Sequence, residues 1–179
     1  LLRKSSKKKV SFTQYRNWVI VNFLMGTGCR SKTLVYIKIK DLDLENGYVL
    51  FRKTKNRKQQ LLPISKSLYQ ILLNYLNIRE GQEDDYLFCT NAGDKLSSRG
   101  LISAIKRYNH SRNVDKTSIH LFRHTFAKKW VLNHGDPYKL QMILGHSNMD
   151  MVKNYLNMYA EDIKKDFELY NPLEEFTKE

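Results

Sequence analysis

Apolar residues recur along most of this chain at helical spacing, and one stretch breaks that rhythm with strand-like segments. The first helix is predicted over Thr13 to Met25, with Thr13 placed to cap it and Tyr15, Val19, Asn22 and Phe23 marking its turns. Gly26-Thr27-Gly28 ends it, because glycines there permit a tight backbone. A second helix starts near Ser31 and sets Leu34, Ile37 and Ile39 against the core. Beyond Asp41 the pattern changes. Tyr48 to Arg52 and Gln60 to Ile64 read as strands flanking the polar basic stretch Lys53 to Gln59, which makes a hairpin. Pro63 falls near the end of the second strand, where a missing N–H matters least.

Helical periodicity then returns. Ser65 caps an amphipathic segment whose apolar set is Leu68, Ile71, Leu72, Tyr75 and Leu76. Gly81 to Asp85 is a loop, and Ser97 or Ser98 caps a helix carrying Leu101, Ile102, Ile105 and Tyr108. Asn109 to Lys116 is polar and loop-like. Three further helices are predicted over His120 to about Asn133, Tyr138 to about Leu144 and Met149 to about Met158. The breaks between them are His134 to Pro137, with Pro137 suited to a first helical turn, and Gly145 to Asn148. A charged helix, Ala160 to Leu169, ends before Asn171-Pro172. The expected fold is mainly α with a small antiparallel β-sheet, an α+β class, without internal repeats.

Length allows one well-buried core and is short for two ordinary domains, at 179 residues. Charge changes the picture more. Thirty-one Lys+Arg against 18 Asp+Glu give +13, so a polyanion is the first partner to consider, through counterion release at phosphates. No apolar run approaches the roughly 18–20 residues needed to span a bilayer. The longest, Trp18 to Met25, is broken by Asn22. Cys29 and Cys89 are the only cysteines, which speaks against a disulfide framework or a Cys-rich zinc site and fits a reduced, cytoplasmic setting. The chain does not start with Met and shows no signal peptide, so a fragment of a longer protein is expected, cut near the basic segment Leu1 to Lys9.

The candidate chemistry concentrates in the last third. His120 and Arg123 are three apart, one helical turn, and suit a phosphate clamp: a permanently charged planar fork beside a proton donor or acceptor. A surface ion pair with a capping histidine explains the same spacing. His120 and His124 have the spacing of a zinc pair, but the glutamate of HExxH is absent and Arg123 intervenes. His146 follows Gly145 at a turn, where a polar loop residue is equally natural. Tyr155 shares helical spacing with Val152, Leu156 and Tyr159 and reads as a core aromatic when taken alone. Arg30 lies between two apolar helices, where a charge needs a partner. Lys55 sits in the hairpin among Lys53, Arg57 and Lys58, where a solvated basic turn is the simpler reading. Together these groups suit a phenol attacking a phosphodiester. Forming phenolate at neutral pH costs roughly 4 kcal/mol. Guanidinium groups on the non-bridging oxygens would offset that cost chiefly in the transition state.

Arg30, Lys55, His120-xx-Arg123, LGH ending at His146 and Tyr155 stand in an order that resembles the catalytic domain of tyrosine recombinases of the phage-integrase family. The resemblance runs from about Thr13 to Tyr159. TGCR matches the family's first arginine motif, while HLFRHTFA and LGHSNMDMVKNY match its later motifs, including nine positions from His146 to Tyr155. It implies a tyrosine-recombinase fold and a site-specific recombinase or integrase that cleaves and rejoins double-stranded DNA, for integration, excision or transposition of a mobile element. Tyr155 would form a 3′-phosphotyrosyl link, Arg30 and Arg123 would grip the phosphate, and His120 and His146 would assist proton transfer and phosphate binding. Lys55, eight positions before the strand proline Pro63, would be the general acid for the 5′ oxygen. Lys53, Arg57 and Lys58 would bind the DNA backbone. Neither metal nor ATP is implied as a cofactor.

The resemblance divides the chain into a basic arm or linker (1–10), a catalytic domain (11–159) and a C-terminal helix or tail (160–179) that docks on a neighbouring protomer in a tetramer. It also implies a separate preceding helical domain and a bacterial or phage-type protein working at the nucleoid. Two positions depart from the family pattern: Thr33 stands where an acidic residue is usual, and Cys29 replaces an aliphatic one. Alternatives from other classes are a type IB topoisomerase-like relaxing activity, a non-catalytic module using HGDPYKLQMILGH as a helix-turn-helix break, and a metal-dependent nuclease.

Overall fold

The first helix, α1 (Phe12–Thr27), is the axis around which the rest of the chain packs. In the computed structural model, which describes residues 11–55, 57–145, 149 and 152–153, it lies against three other helices. Val19, Ile20, Val21 and Phe23 are wholly buried, so this helix is enclosed rather than amphipathic. Ser11 caps it by accepting from the Gln14 N–H, and the Gln14 side chain reciprocates. The expected cap, Thr13, lies inside the helix, and its hydroxyl donates to Asn91 Oδ1 at 2.7 Å. The buried Arg16 uses its guanidinium on the Cys89 carbonyl and on Asn17 Oδ1, joining α1 to the turn that precedes the fourth helix.

The second helix is much shorter than the sequence suggests: α2 spans only Ser31–Leu34. Ile37 and Ile39 are not on it, because a loop claims their backbone groups. The Leu87 N–H donates to the Ile37 carbonyl at 2.8 Å, and the Ile39 N–H donates to the Asp85 carbonyl at 2.9 Å. A single 3₁₀ turn, Ile39–Asp41, follows. Its buried Asp41 accepts from the Lys38 N–H and from Arg52, which fixes the turn to the end of a strand.

The sheet contains one strand more than the predicted hairpin. β1 (Leu42–Asp43), β2 (Tyr48–Phe51) and β3 (Gln60–Pro63) are antiparallel in the order β1-β2-β3. Val49 pairs with Leu62, and both are buried along with Phe51. Pro63 ends the edge strand, where no ladder bond is lost.

Helices α3 (Lys66–Arg79) and α4 (Ser98–His110) start as expected, capped by Ser65 and Ser97. Two details differ. Ile102 faces solvent, and Asn109 belongs to α4 and is buried rather than part of a loop. Helices α5 (His120–Leu132) and α6 (Pro137–Leu144) follow, with Asp136 accepting from the Lys139 N–H and Pro137 in the first turn of α6. The main core gathers Phe23, Leu24, Leu34, Leu72, Tyr75, Leu87, Phe88, Leu101 and Ile105. A smaller one, between α5 and α6, holds Ala127, Leu140, Leu144 and Val152, with Phe126, Trp130 and Met149 beside it.

The Met149 carbonyl accepts from the Val152 and Lys153 N–H groups, a helical turn where a helix was predicted to begin. The remainder of that helix, with Tyr155, lies outside the described residues, as do His146, Leu1 to Lys9 and Ala160 to Leu169. Among the described residues, no helix is long and apolar enough to cross a membrane.

Candidate active site

The turn after α1 sets the first arginine. Gly28 adopts φ 61° and caps α1, its N–H donating to the Leu24 carbonyl at 3.0 Å. The Thr27 hydroxyl donates to the Phe23 carbonyl at 2.7 Å and accepts from the Cys29 N–H at 3.3 Å, closing the turn from inside. Arg30 is then the N-cap of α2, and its carbonyl accepts from the Thr33 and Leu34 N–H groups. Its side chain is half-buried, which depresses the guanidinium pKa through desolvation. Among the described residues it makes no ion pair or hydrogen bond through that side chain. Thr33, buried, brings no charge to it.

Arg123 ties this turn to two other parts of the chain. From the first turn of α5 its Nη1 donates to the Gly28 carbonyl at 2.9 Å. Its Nη2 donates to the Leu144 carbonyl at 2.7 Å, at the last residue of α6. One planar fork thus spans the turn that carries Arg30 and the helix end that leads to His146. Its charge also acts on the neighbouring Cys29, whose thiol is nevertheless pushed up to about 11 by burial and so stays protonated near neutral pH. A cation at the carboxyl end of α6 matches the negative pole of that helix.

Gln60 completes the same helix end. From β3, its Nε2 donates to the Met142 carbonyl at 2.9 Å and the Ile143 carbonyl at 2.7 Å. Together with Arg123 it donates to three successive carbonyls at the end of α6, the first of which also accepts from the Gly145 N–H. Nothing in the sequence marked Gln60, because its partners lie more than eighty positions away. Replacing Gln60 with alanine is expected to lower stability by about 1–2 kcal/mol. Urea denaturation checks this, and an unchanged midpoint would show that the two bonds contribute nothing.

The remaining predicted residues are placed less tightly. His120, at the start of α5, and His124 are both exposed. Lys55 is exposed in the β2–β3 hairpin, whose turn is shaped by the Thr54 hydroxyl donating to the Lys58 carbonyl and by Arg57 at φ 58°. Arg57 and Lys58 are exposed, and Lys53 lies over the Tyr36 ring. The structure therefore joins Arg123 to the Arg30 turn and the end of α6, and fastens the base of the hairpin to α6 through Gln60. It does not bring Lys55 into contact with either arginine. His146 and Tyr155 lie outside the described residues. Such an arrangement can hold an anion near the fixed Arg123 guanidinium and the Arg30 turn, with a basic hairpin fastened to the same helix end.

Comparison with known proteins bears on the family and the fold. The sequence model of the Phage integrase family matches residues 2–162. Tyrosine recombinase XerA of Thermococcus kodakarensis is 33% identical over 171 residues, covering 92% of this chain and 60% of the relative. Tyrosine recombinase XerC of Escherichia coli O157:H7 is 28% identical over 160 residues, covering 88% of this chain and 53% of the relative. The chain thus spans little more than half the length of these relatives. Among solved structures, XerA recombinase has a TM-score of 0.74 at 24% identity, covering 95% of this chain and 66% of that one. XerH site-specific recombinase, bound to its difH substrate in a pre-cleavage complex, has a TM-score of 0.70 at 27% identity, covering 83% of this chain and 44% of that one.

Proposed function

This chain belongs to the phage integrase family of tyrosine recombinases, and we propose that it is the catalytic part of a site-specific recombinase that breaks and rejoins double-stranded DNA. The observation that carries the reading is the Arg123 fork, which fastens the Arg30 turn to the helix end preceding His146. Without a polyanionic ligand, a half-buried Arg30 with no acidic partner among the described residues is a cost to the fold. A scissile phosphate would supply the missing counter-charge.

In this reading the Tyr155 oxygen attacks phosphorus while a histidine, His120 or His146, takes the phenol proton. The bond from phosphorus to the 5′ oxygen breaks, and Lys55 gives that oxygen its proton. Arg30 and Arg123 neutralise the charge that builds on the non-bridging oxygens. One phosphodiester is exchanged for another, so a 5′ hydroxyl from a partner strand can reverse the step without an energy source. Residues 11–159 form the catalytic unit, 1–10 a basic arm, and 160–179 a tail exchanged between protomers of a tetramer on DNA. Lys53, Arg57 and Lys58 hold the backbone, and the substrate is the end of a mobile element, in the compartment that contains the cell's DNA.

Incubating the chain with a nicked duplex that traps the cleaved strand tests this directly. A covalent protein–DNA adduct is expected, with the linkage mapping to the peptide that carries Tyr155. An adduct on any other residue would refute the assignment of the nucleophile, and no adduct at all would refute the function.

A further inference from the structure

Tyr36 stands in the open, 37% exposed, six positions beyond Arg30, and two lysines from different parts of the chain converge on its ring. Lys95 Nζ lies 3.3 Å from the ring centroid and Lys53 Nζ lies 4.4 Å from it. Lys95 comes from the turn before α4, where it bridges to Cys89, and it also lies 5.7 Å from the Tyr86 ring. Lys53 comes from the hairpin, two positions before Lys55. A hydrogen bond from Lys95, its charge, and the charges of Lys53 and Lys32 hold the phenol below its ordinary pKa.

Acidic side chains are available close by in the sequence but serve other cations. Lys38 and Lys40 pair with Asp84 at 2.9 and 2.6 Å, and Arg52 pairs with Asp41. Among the described residues, no carboxylate lies within ion-pairing distance of Lys32, Lys53 or Lys95. Crowding two ammonium groups on one exposed phenol costs repulsion that the ring's electrons offset only in part. An anion carrying several acceptor oxygens would relieve it, and the phenol would add a donor.

We propose that Tyr36, Lys53 and Lys95 form a docking point for a backbone phosphate of duplex DNA, flanking the strand-transfer site between Arg30 and the Lys55 hairpin. The inference rests on the recombinase reading for its ligand, and it is a contact to the backbone, indifferent to base sequence. By holding Lys53, such a phosphate would also orient the hairpin that presents Lys55.

The test measures duplex binding by the full chain over a series of salt concentrations. Lys95→Gln is expected to weaken binding and to reduce the slope of log affinity against log salt by about 1, as is Lys53→Gln. Tyr36→Leu should weaken binding without changing the slope by as much. Lys40→Gln is the control, since it removes one positive charge from a lysine that pairs with Asp84 and has no part in the Tyr36 cluster. Unchanged slopes in both site variants, or an equal fall in the control, would overturn the proposal. Covalent capture by the unaltered chain is read in parallel. Shifted slopes without an adduct would keep the phosphate site and discard strand transfer, whereas an adduct with unchanged slopes would discard the site alone.

Discussion

Replacing Arg123 with alanine is expected to slow covalent capture of DNA by about 10²–10³-fold, the usual effect of removing one donor that stabilises transition-state charge. The same change should lower stability by about 2–3 kcal/mol, since charged hydrogen bonds to two part-buried carbonyls are lost together. These effects arise from different atoms of one side chain and can be separated. Lysine keeps the charge but has a single point donor, so it cannot span the Gly28 and Leu144 carbonyls at once. Arg123→Lys should therefore recover part of the rate and little of the stability. Single-turnover capture on a nicked duplex measures the first, and urea denaturation measures the second. A capture rate within about threefold of the unaltered chain would leave the guanidinium without a part in the chemistry.

Alanine at position 28 should be nearly as damaging, although the residue carries no chemistry. Gly28 sits at φ 61°, a conformation that costs any L side chain about 1–2 kcal/mol. A Cβ there would also lie 2.7 Å from Phe126 Cδ1 and 3.1 Å from Leu144 Cδ2, forcing side chains that belong to, or pack on, the smaller core to move. Overpacking of this kind adds about 1–3 kcal/mol. The combined loss of about 2–5 kcal/mol should lower Tm by roughly 4–20 °C in a thermal scan. Because the Gly28 carbonyl receives Arg123, capture should fall as well, and by more than the loss of folded protein explains. A Gly28→Ala variant that melts with the unaltered chain would show that the turn relaxes freely.

The residues proposed for the chemistry stand out in the chain, whereas the contacts that hold their surroundings together do not. Arg30, His120 and Arg123 stand in short local motifs, and the caps at Ser65, Ser97 and Pro137 follow from local rules. Periodicity rightly set Ile37 and Ile39 against the core but wrongly put them on a helix, because the backbone groups there bond to a loop around Asp85 to Leu87 that local pattern cannot see. Gln60 escaped for the same reason. A glutamine at the start of an edge strand looks like ordinary solvent-facing polarity until α6 is brought beside it. Lys95 was likewise one basic residue among many until the fold placed it on Tyr36.

The span of the Arg123 fork sets when the proposed site can first form. Its two acceptors, Gly28 and Leu144, bracket most of the chain, and the donor itself comes late. During synthesis, α1 and the sheet are made long before either Arg123 or the end of α6 exists. A partly made chain carries basic surface but lacks the fork that joins the Arg30 turn to the end of α6. On the recombinase reading proposed above, the order of manufacture thus puts basic surface ahead of any competence to cut DNA.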